Sequence, residues 1–431
     1  MNFFPQAPTS LAESGHSLWD VQALILKHLF HRRIATGHDV AKHLCLPFVI
    51  VEPILTDLKK ERMIDFRGAS GFGDFVYAIL EEGMKRAREH LSESTYAGAA
   101  PVPFDDYIRS VQLQSLDDHH PTPEALRESL ADLIVDPRVY QQLGLALTSG
   151  RSVFLYGAPG NGKTSIAERV MSAYTDYIWV PKAVEVGRTI LRLYDSRYHK
   201  LVDVRPDADD SSLRLVDRRW VAVRRPTIVV GGELTLDRLE VVETAPGVCE
   251  APIQVKSNGG ALVVDDFGRQ RVEPQDLLNR WIMPLDRRID ILTLPNGRTI
   301  EIPFDQLTIF STNLDPENLV DEAFLRRIPY KIHIPNPTEE EFLGLLKQEC
   351  EEYAVEYDGE AAEYLLRHYF RDRGRAIRFC HPQDLVGLMD VRCRFLDEPR
   401  IMSTAMVDAI VDTYFTSMCS PGRRGQLAPV G

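Results

Sequence analysis

The chain has 431 residues, a formal net charge of -13, and 44% hydrophobic against 26% charged residues. That length exceeds a single compact core and points to about two or three domains of ordinary globular composition. The acidic balance argues against nucleic-acid or membrane-surface binding over the molecule as a whole, leaving room only for a local basic patch.

Residues 1–16 are polar and read as a flexible lead. From Ser17 an apolar face recurs at helical spacing (Leu18, Val21, Ile25, Leu29). A second helix is expected at the Thr36-Gly-His-Asp39 cap and a third after Pro47. Two short strands, Met63–Phe66 and Phe75–Ile79, flank a Gly-rich tip, and Glu81 to about Ser94 reads as a charged helix. Residues 97–120 read as a linker by composition. Two helices are expected over 121–149, from the Thr122-Pro-Glu124 start signal. Apolar strands alternating with helices follow to about residue 336, the mark of a parallel sheet, interrupted by an exposed loop at 203–218. Helical patterns fill 337–419, and 420–431 reads as a disordered tail. The six cysteines are scattered without a C-x-x-C pair, which suits a reducing compartment and offers no zinc site. With no cationic leader and no membrane-length apolar run, the expected location is the cytoplasm, with no membrane partner.

The most informative stretch is Gly157-Ala-Pro159-Gly160-Asn161-Gly162-Lys163-Thr164-Ser165, behind the apolar run Val153-Phe-Leu155 and ahead of a helix. This is the phosphate-binding loop pattern: glycines let backbone N–H groups approach a phosphate, and a helix start faces the anion. Lys163 would reach the β- and γ-phosphates, and the Thr164 hydroxyl would ligate Mg²⁺. Ala261-Leu-Val-Val264 is a second apolar run ending in Asp265-Asp266. One acid there would hold the Mg²⁺ hydration shell and its neighbour orient and deprotonate the attacking water. A third strand, Leu307 to Thr312, ends in Asn313, which would hydrogen-bond that water or the γ-phosphate. Between the last two lies a hairpin signal, Asn296-Gly297, within Asp290–Ile302. Arg326 and Arg327 lie beyond the third strand.

In this order the elements resemble the AAA+ ATPases, over about residues 125–420. The resemblance implies an α/β P-loop NTPase parallel sheet (121–336) with a C-terminal α-helical lid (337–419). It implies a Mg²⁺-dependent ATP hydrolase in which Asp265 supports the metal and Asp266 is the catalytic base. Asn313 is then the first sensor, and Arg327, with Arg326, reaches a neighbouring subunit's nucleotide in a ring expected to be hexameric. The hairpin resembles the clade with a hairpin before the first sensor, and the surrounding runs are similar to MoxR-type, chaperone-like ATPases. Two features depart from the family. The acid pair is Asp-Asp where Asp-Glu is usual, similar to helicase-loader and transposition-helper ATPases. In Cys380-His-Pro-Gln383-Asp384, Gln383 stands where a second-sensor Arg is usual, and Arg378 is the candidate substitute.

Residues 17–96 resemble a winged helix-turn-helix domain. The start of its third helix, Pro47-Phe-Val-Ile-Val-Glu-Pro53, offers nothing able to bond a base edge, and Pro53 would distort the first turns. The wing tip, Ser70–Asp74, carries no cation. The expected role is recruitment of a protein client for ATP-driven remodeling; a DNA-associated regulator or loader is the alternative. His119-His120 could chelate a metal but read as a solvated linker; Tyr194, Tyr198 and His199 fit a ring-ATPase pore loop and a core equally; the arginines around Trp220 fit packing on an exposed strand as well as a polyanion site.

Overall fold

The computed structural model describes residues 3–71, 73–204, 216–319 and 322–415. The loop read at 203–218 falls largely outside these residues, and the tail at 420–431 entirely so. Among the described residues no helix is long and apolar enough to cross a membrane.

The N-terminal unit is built from α1 (Leu18–Arg32), β1 (Ile34–Thr36), α2 (Gly37–Leu44), α3 (Phe48–Lys60), β2 (Ile64–Ala69), β3 (Phe75–Ile79) and α4 (Glu81–Glu93). Ser17 with Asp20, and Thr36 with Asp39, form capping boxes that start α1 and α2 by satisfying orphan amides. The three strands pair antiparallel in the order β1-β3-β2; β1 is too short to leave a periodic signal. Val21, Ile25, Val40, Leu44, Val51 and Leu55 close the core beneath them. α3 runs on through Pro53 without a break. Asp74, at the end of the wing tip, is buried at the start of α2, where it accepts from the Gly37 and His38 amides.

Two readings of the leading segments change. The stretch 97–120 contains β4 (Val102–Pro103) and α5 (Phe104–Leu113), with Tyr107 and Leu116 buried. Its polar composition hides a buried stripe only a few residues wide. Residues 3–16, read as flexible, are packed: Phe3 lies against Trp220 and Phe4 against Trp179, and the Pro5 carbonyl accepts from Asp217 N–H.

α6 (Pro123–Ser129) and α7 (Pro137–Ser149) lead into the central sheet. After β5 (Val153–Tyr156) and α8 (Lys163–Arg169) the expected alternation fails. Among the described residues the chain instead lays down β6 (Tyr177–Pro181), β7 (Ala183–Val186), β8 (Thr189–Arg192) and β9 (Trp220–Arg224) without an intervening helix. Only then come β10 (Thr227–Val230), β11 (Val242–Ala245), β12 (Val248–Glu250), α9 (Ile253–Lys256) and β13 (Ala261–Val264). β6 pairs with β9, and a second sheet takes the order β11-β12-β8-β7-β4. Beyond them lie α10 (Pro274–Arg287), β14 (Ile289–Thr293), β15 (Thr299–Pro303), β16 (Leu307–Thr312), α11 (Glu322–Leu325) and β17 (Tyr330–His333). β14 and β15 form the expected hairpin, but the turn differs from a two-residue Asn-Gly turn. Gly297 N–H donates to the Leu294 carbonyl, and among the turn residues Gly297 has the positive φ, giving a longer turn with Pro295 inside it.

The central sheet runs β10-β13-β16-β5-β17, and every neighbouring pair is parallel. β13 and β16 are buried along their whole length, as strands covered on both faces must be. The chain leaves β5 for the far edge, returns through β13 and β16, and then crosses to β17 on the other side of β5. The carboxyl end of β5 is therefore a topological switch point, where such sheets take ligands. α12 (Glu339–Glu352), α13 (Gly359–Leu365), α14 (Cys380–Leu396) and α15 (Thr404–Tyr414) pack around their own core of Phe342, Leu365, Leu385 and Val407.

Arg219 and Arg225, read as exposed-strand arginines, are buried. Arg225 pairs with Asp176, and Arg219 pairs with buried Asp217 while donating to the Ser14 and Pro101 carbonyls. Asp217→Ala leaves the Arg219 guanidinium uncompensated beside three chain segments. The expected loss is about 3–5 kcal/mol of unfolding free energy, read as a lowered urea midpoint.

Candidate functional site

The turn after β5 is bent by glycine. Gly157, Gly160 and Gly162 all have positive φ, and a Cβ on Gly157 would lie 2.5 Å from the Ile334 carbonyl oxygen. Pro159 and Gly160 form the exposed crest, with Gly157 and Ser165 partly covered at its ends. Asn161 is buried, donating to the Pro335 carbonyl and Asn336 Oδ1, so it ties the loop to the chain leaving β17. α8 begins directly on Lys163 after Gly162.

Lys163 Nζ donates to the Gly157 and Ala158 carbonyls at 3.0 Å each and to Asn313 Oδ1 at 2.7 Å. Burial lowers its pKa from the ordinary lysine value; the carboxylates of Asp265 and Asp266 oppose that shift, and Arg378 adds to it. Thr164 Oγ1 donates to Asp265, 3.0 Å from either carboxylate oxygen. Asn313 Nδ2 in turn donates to Asp266 Oδ1 at 2.9 Å. The tips of β5, β13 and β16 thus bring together two hydrogen-bonded groups, Lys163–Asn313–Asp266 and Thr164–Asp265, side by side along the chain at positions 163/164 and 265/266. Asp266 has a φ of 48°, a left-handed conformation that Asp tolerates better than most residues.

Gln270 was not legible as a site residue. Its Nε2 donates to the Asp265 and Asp266 carbonyls, and its Oε1 accepts from Gly268 N–H. It braces the turn that holds both acids, and no motif spacing marks a turn-bracing amide.

The arginines lie elsewhere. Arg327 Nε donates to Asp286 of α10 at 2.8 Å, and Arg326 is exposed at the end of α11. On the helical side, Cys380 N–H donates to the Gly160 carbonyl at 3.0 Å, docking the start of α14 on the loop crest. Arg378 comes with it, its Cδ 3.8 Å from where a Gly160 Cβ would be, whereas Gln383 is exposed. His381, whose Nδ1 accepts from Arg378 N–H, is held neutral with its pKa pushed down to about 4 by burial and by Arg378. A basic side chain thus sits beside the loop, but from the coil before α14 rather than from the helix position resembling a second sensor.

The other sequence candidates are structural. His119 Nδ1 lies 2.9 Å from the Ser115 carbonyl, and no cluster of metal-binding side chains occurs among the described residues. His199 is buried with Tyr194 stacked on it, its Nε2 lying 2.9 Å from the Lys256 carbonyl.

A parallel sheet with the phosphate loop on the strand between β16 and β17, acids on β13, an amide on β16 and a helical unit docked on the loop decide the fold. It is an AAA+ type P-loop fold. Residues 338–413, within the helical part of this AAA+ fold, match a family described as "Domain of unknown function (DUF8689)". No curated protein is similar to the chain. Among solved structures it is similar to a variant of RuvB from Thermotoga maritima, at 15% identity and a TM-score of 0.36 over 70% of this chain and 72% of that one. Another Thermotoga maritima RuvB structure, described as a Holliday junction branch migration motor, shares 16% identity at a TM-score of 0.38 over 67% and 72%. NtrX from Brucella abortus shares 13% at 0.43 over 77% and 66%. The AAA+ assignment rests on strand order and loop geometry, not on these distant likenesses.

Proposed function

We propose that the chain is a Mg²⁺-dependent ATP hydrolase, working in a cytoplasmic homo-oligomeric ring, most simply a hexamer, that remodels a protein client. The single observation that carries the hydrolase reading is the pair of hydrogen-bonded groups at the tips of β5, β13 and β16, which brings a phosphate-seeking cation, a hydroxyl–carboxylate pair and an acid–amide pair to one switch point. Lys163 exchanges its loop carbonyls for β- and γ-phosphate oxygens. Thr164 Oγ1 and Asp265 offer the hard oxygen donors Mg²⁺ requires, and the bound ion would neutralise phosphate charge. Asp266 accepts the proton of the attacking water, and Asn313 orients that water against the γ-phosphate. Arg378 adds positive charge beside the loop from the coil before α14; Gln383 supplies none.

Arg327 acts on the nucleotide of the next subunit, released from Asp286 on assembly, with Arg326 beside it. Arg327→Ala and Lys163→Ala should each abolish turnover when assayed alone. Mixing the two variants should restore measurable phosphate release, because some interfaces then unite an intact loop with an intact arginine. No recovery in the mixture sinks the trans role.

The N-terminal unit supplies the client-docking surface, in the manner of a winged helix turned to protein recognition. At the start of α3, Val49 is 63% exposed and Phe48 stacks on His38, which suits an apolar partner better than a base edge. The deciding experiment is a client pull-down with full-length Asp266→Asn in ATP, alongside duplex-DNA binding across a salt titration. Nucleotide-dependent retention of one protein supports the reading; salt-sensitive duplex binding without a retained protein replaces it with a DNA-associated role.

A further inference from the structure

A cavity of about 670 Å³ opens where the N-terminal unit meets the second sheet, and no phosphate-loop residue lines it. Arg32 enters it from the end of α1, Lys42 and His43 from the end of α2, and Lys182 from the connection between β6 and β7. Among the described residues none of these three cations is in an ion pair. Lys182 Nζ reaches no carboxylate and rests 3.1 Å from Cys45 Sγ. The one acid on the wall, Asp39, is engaged in the α2 capping box. In a chain of net charge -13, three cations converging on one concavity against the single carboxylate of Asp39 is an unbalanced arrangement.

Cations at the ends of α1 and α2 are expected on electrostatic grounds alone, since helix C-termini favour them. That account covers Arg32 and Lys42 but not Lys182, which lies on no helix and approaches the same space from another part of the fold. The histidines add polar groups of a different kind. His28 and His43 stack with ring centroids 4.0 Å apart, and His43 Nε2 lies 2.6 Å from the Ala97 carbonyl, which fixes its ring over the opening. Burial and the neighbouring His43 and Arg32 push the His28 pKa down to about 4, so its ring stays neutral near pH 7. Ile34, Ala35 and Ala99 complete an apolar edge. The volume lies in the range of small-molecule sites, and a mixture of cations with one apolar edge suits a phosphorylated small molecule.

We propose that this cavity binds a small phosphorylated ligand, its phosphate held by Arg32, Lys42 and Lys182 and its organic part lying along Ile34 and Ala99. Because Lys182 lies at the entry to β7 of the second sheet and the other two cations in the N-terminal unit, an occupant ties those two parts together. The site is separate from the nucleotide loop and stands independently of the hydrolase reading.

Inorganic pyrophosphate serves as the probe, since it presents the anionic group alone. Calorimetric titration of the full chain carrying Lys163→Ala, which silences the phosphate loop, should report one pyrophosphate site. Arg32→Gln and Lys182→Gln, each added to that background, should weaken binding about tenfold, while Lys347→Gln on an exposed face of α12 leaves it unchanged. Unaltered circular dichroism of the variants separates lost binding from lost folding. In a second readout, the His43 ring resonances should shift as pyrophosphate saturates. Absence of binding in the Lys163→Ala chain, equal binding by all charge variants, or an unmoved His43 overturns the proposal. None of these outcomes bears on ATP binding by the unsubstituted chain, so this site and the hydrolase reading fail separately.

Discussion

Lys163→Ala should lower ATP affinity by about 100-fold or more and with it abolish phosphate release, read by equilibrium binding of a fluorescent ATP analogue. The expectation follows from what Nζ does in the chain. Its three partners are two loop carbonyls and Asn313, all neutral acceptors, held around a cation that burial already disfavours. A triphosphate presents oxygens of full negative charge to the same atom, and a charge-assisted contact is about twice as strong as a neutral one. The substitution also frees Asn313 Oδ1 and thereby loosens the link between β5 and β16. Retained nucleotide affinity with an unchanged fold would remove the phosphate loop from the function.

Asp266→Asn should leave ATP binding within a few-fold of the parent and cut turnover by about 10²–10⁴, the usual contribution of a positioned general base. Asn is the informative substitution for two reasons. The backbone at position 266 is left-handed, and Asn tolerates that region as well as Asp does. Its amide oxygen can still accept from Asn313 Nδ2, so the geometry survives while the proton acceptor is lost. Single-turnover hydrolysis of pre-bound ATP is the measurement. Undiminished turnover would assign the base elsewhere, and loss of binding would make Asp266 part of the nucleotide pocket instead.

Local signals carried much of the site and less of the fold. The phosphate loop, the Asp265-Asp266 strand end and Asn313 are legible because each is an apolar run followed at once by a polar residue of known chemistry. Such signals need only local sequence. The five side chains named from them share hydrogen bonds across separations of up to 150 residues, and only the strand order could reveal that meeting. The strands between Tyr177 and Glu250 escaped because they are short and pair across the chain, β4 with β7 and β8 with β12, so periodicity could not group them. Arg219 and Arg225 read as solvated because charge predicts exposure unless a partner is known, and the partner of Arg225, Asp176, is remote in sequence. Arg378 illustrates the converse. The Cys380–Asp384 pattern beside it made it a candidate, but its place beside Gly160 depends on how a separate helical unit docks.

The bond from Cys380 N–H to the Gly160 carbonyl joins a hinge to a lever. α14 has 17 residues, hence a length of about 25 Å, and it starts on the crest of the glycine loop after β5. A tilt of about 10° at that end carries Leu396 through ~4 Å at the other. On the proposed hydrolase reading, a tilt set at the loop crest would reach the far end of α14, where Phe395 is 84% exposed.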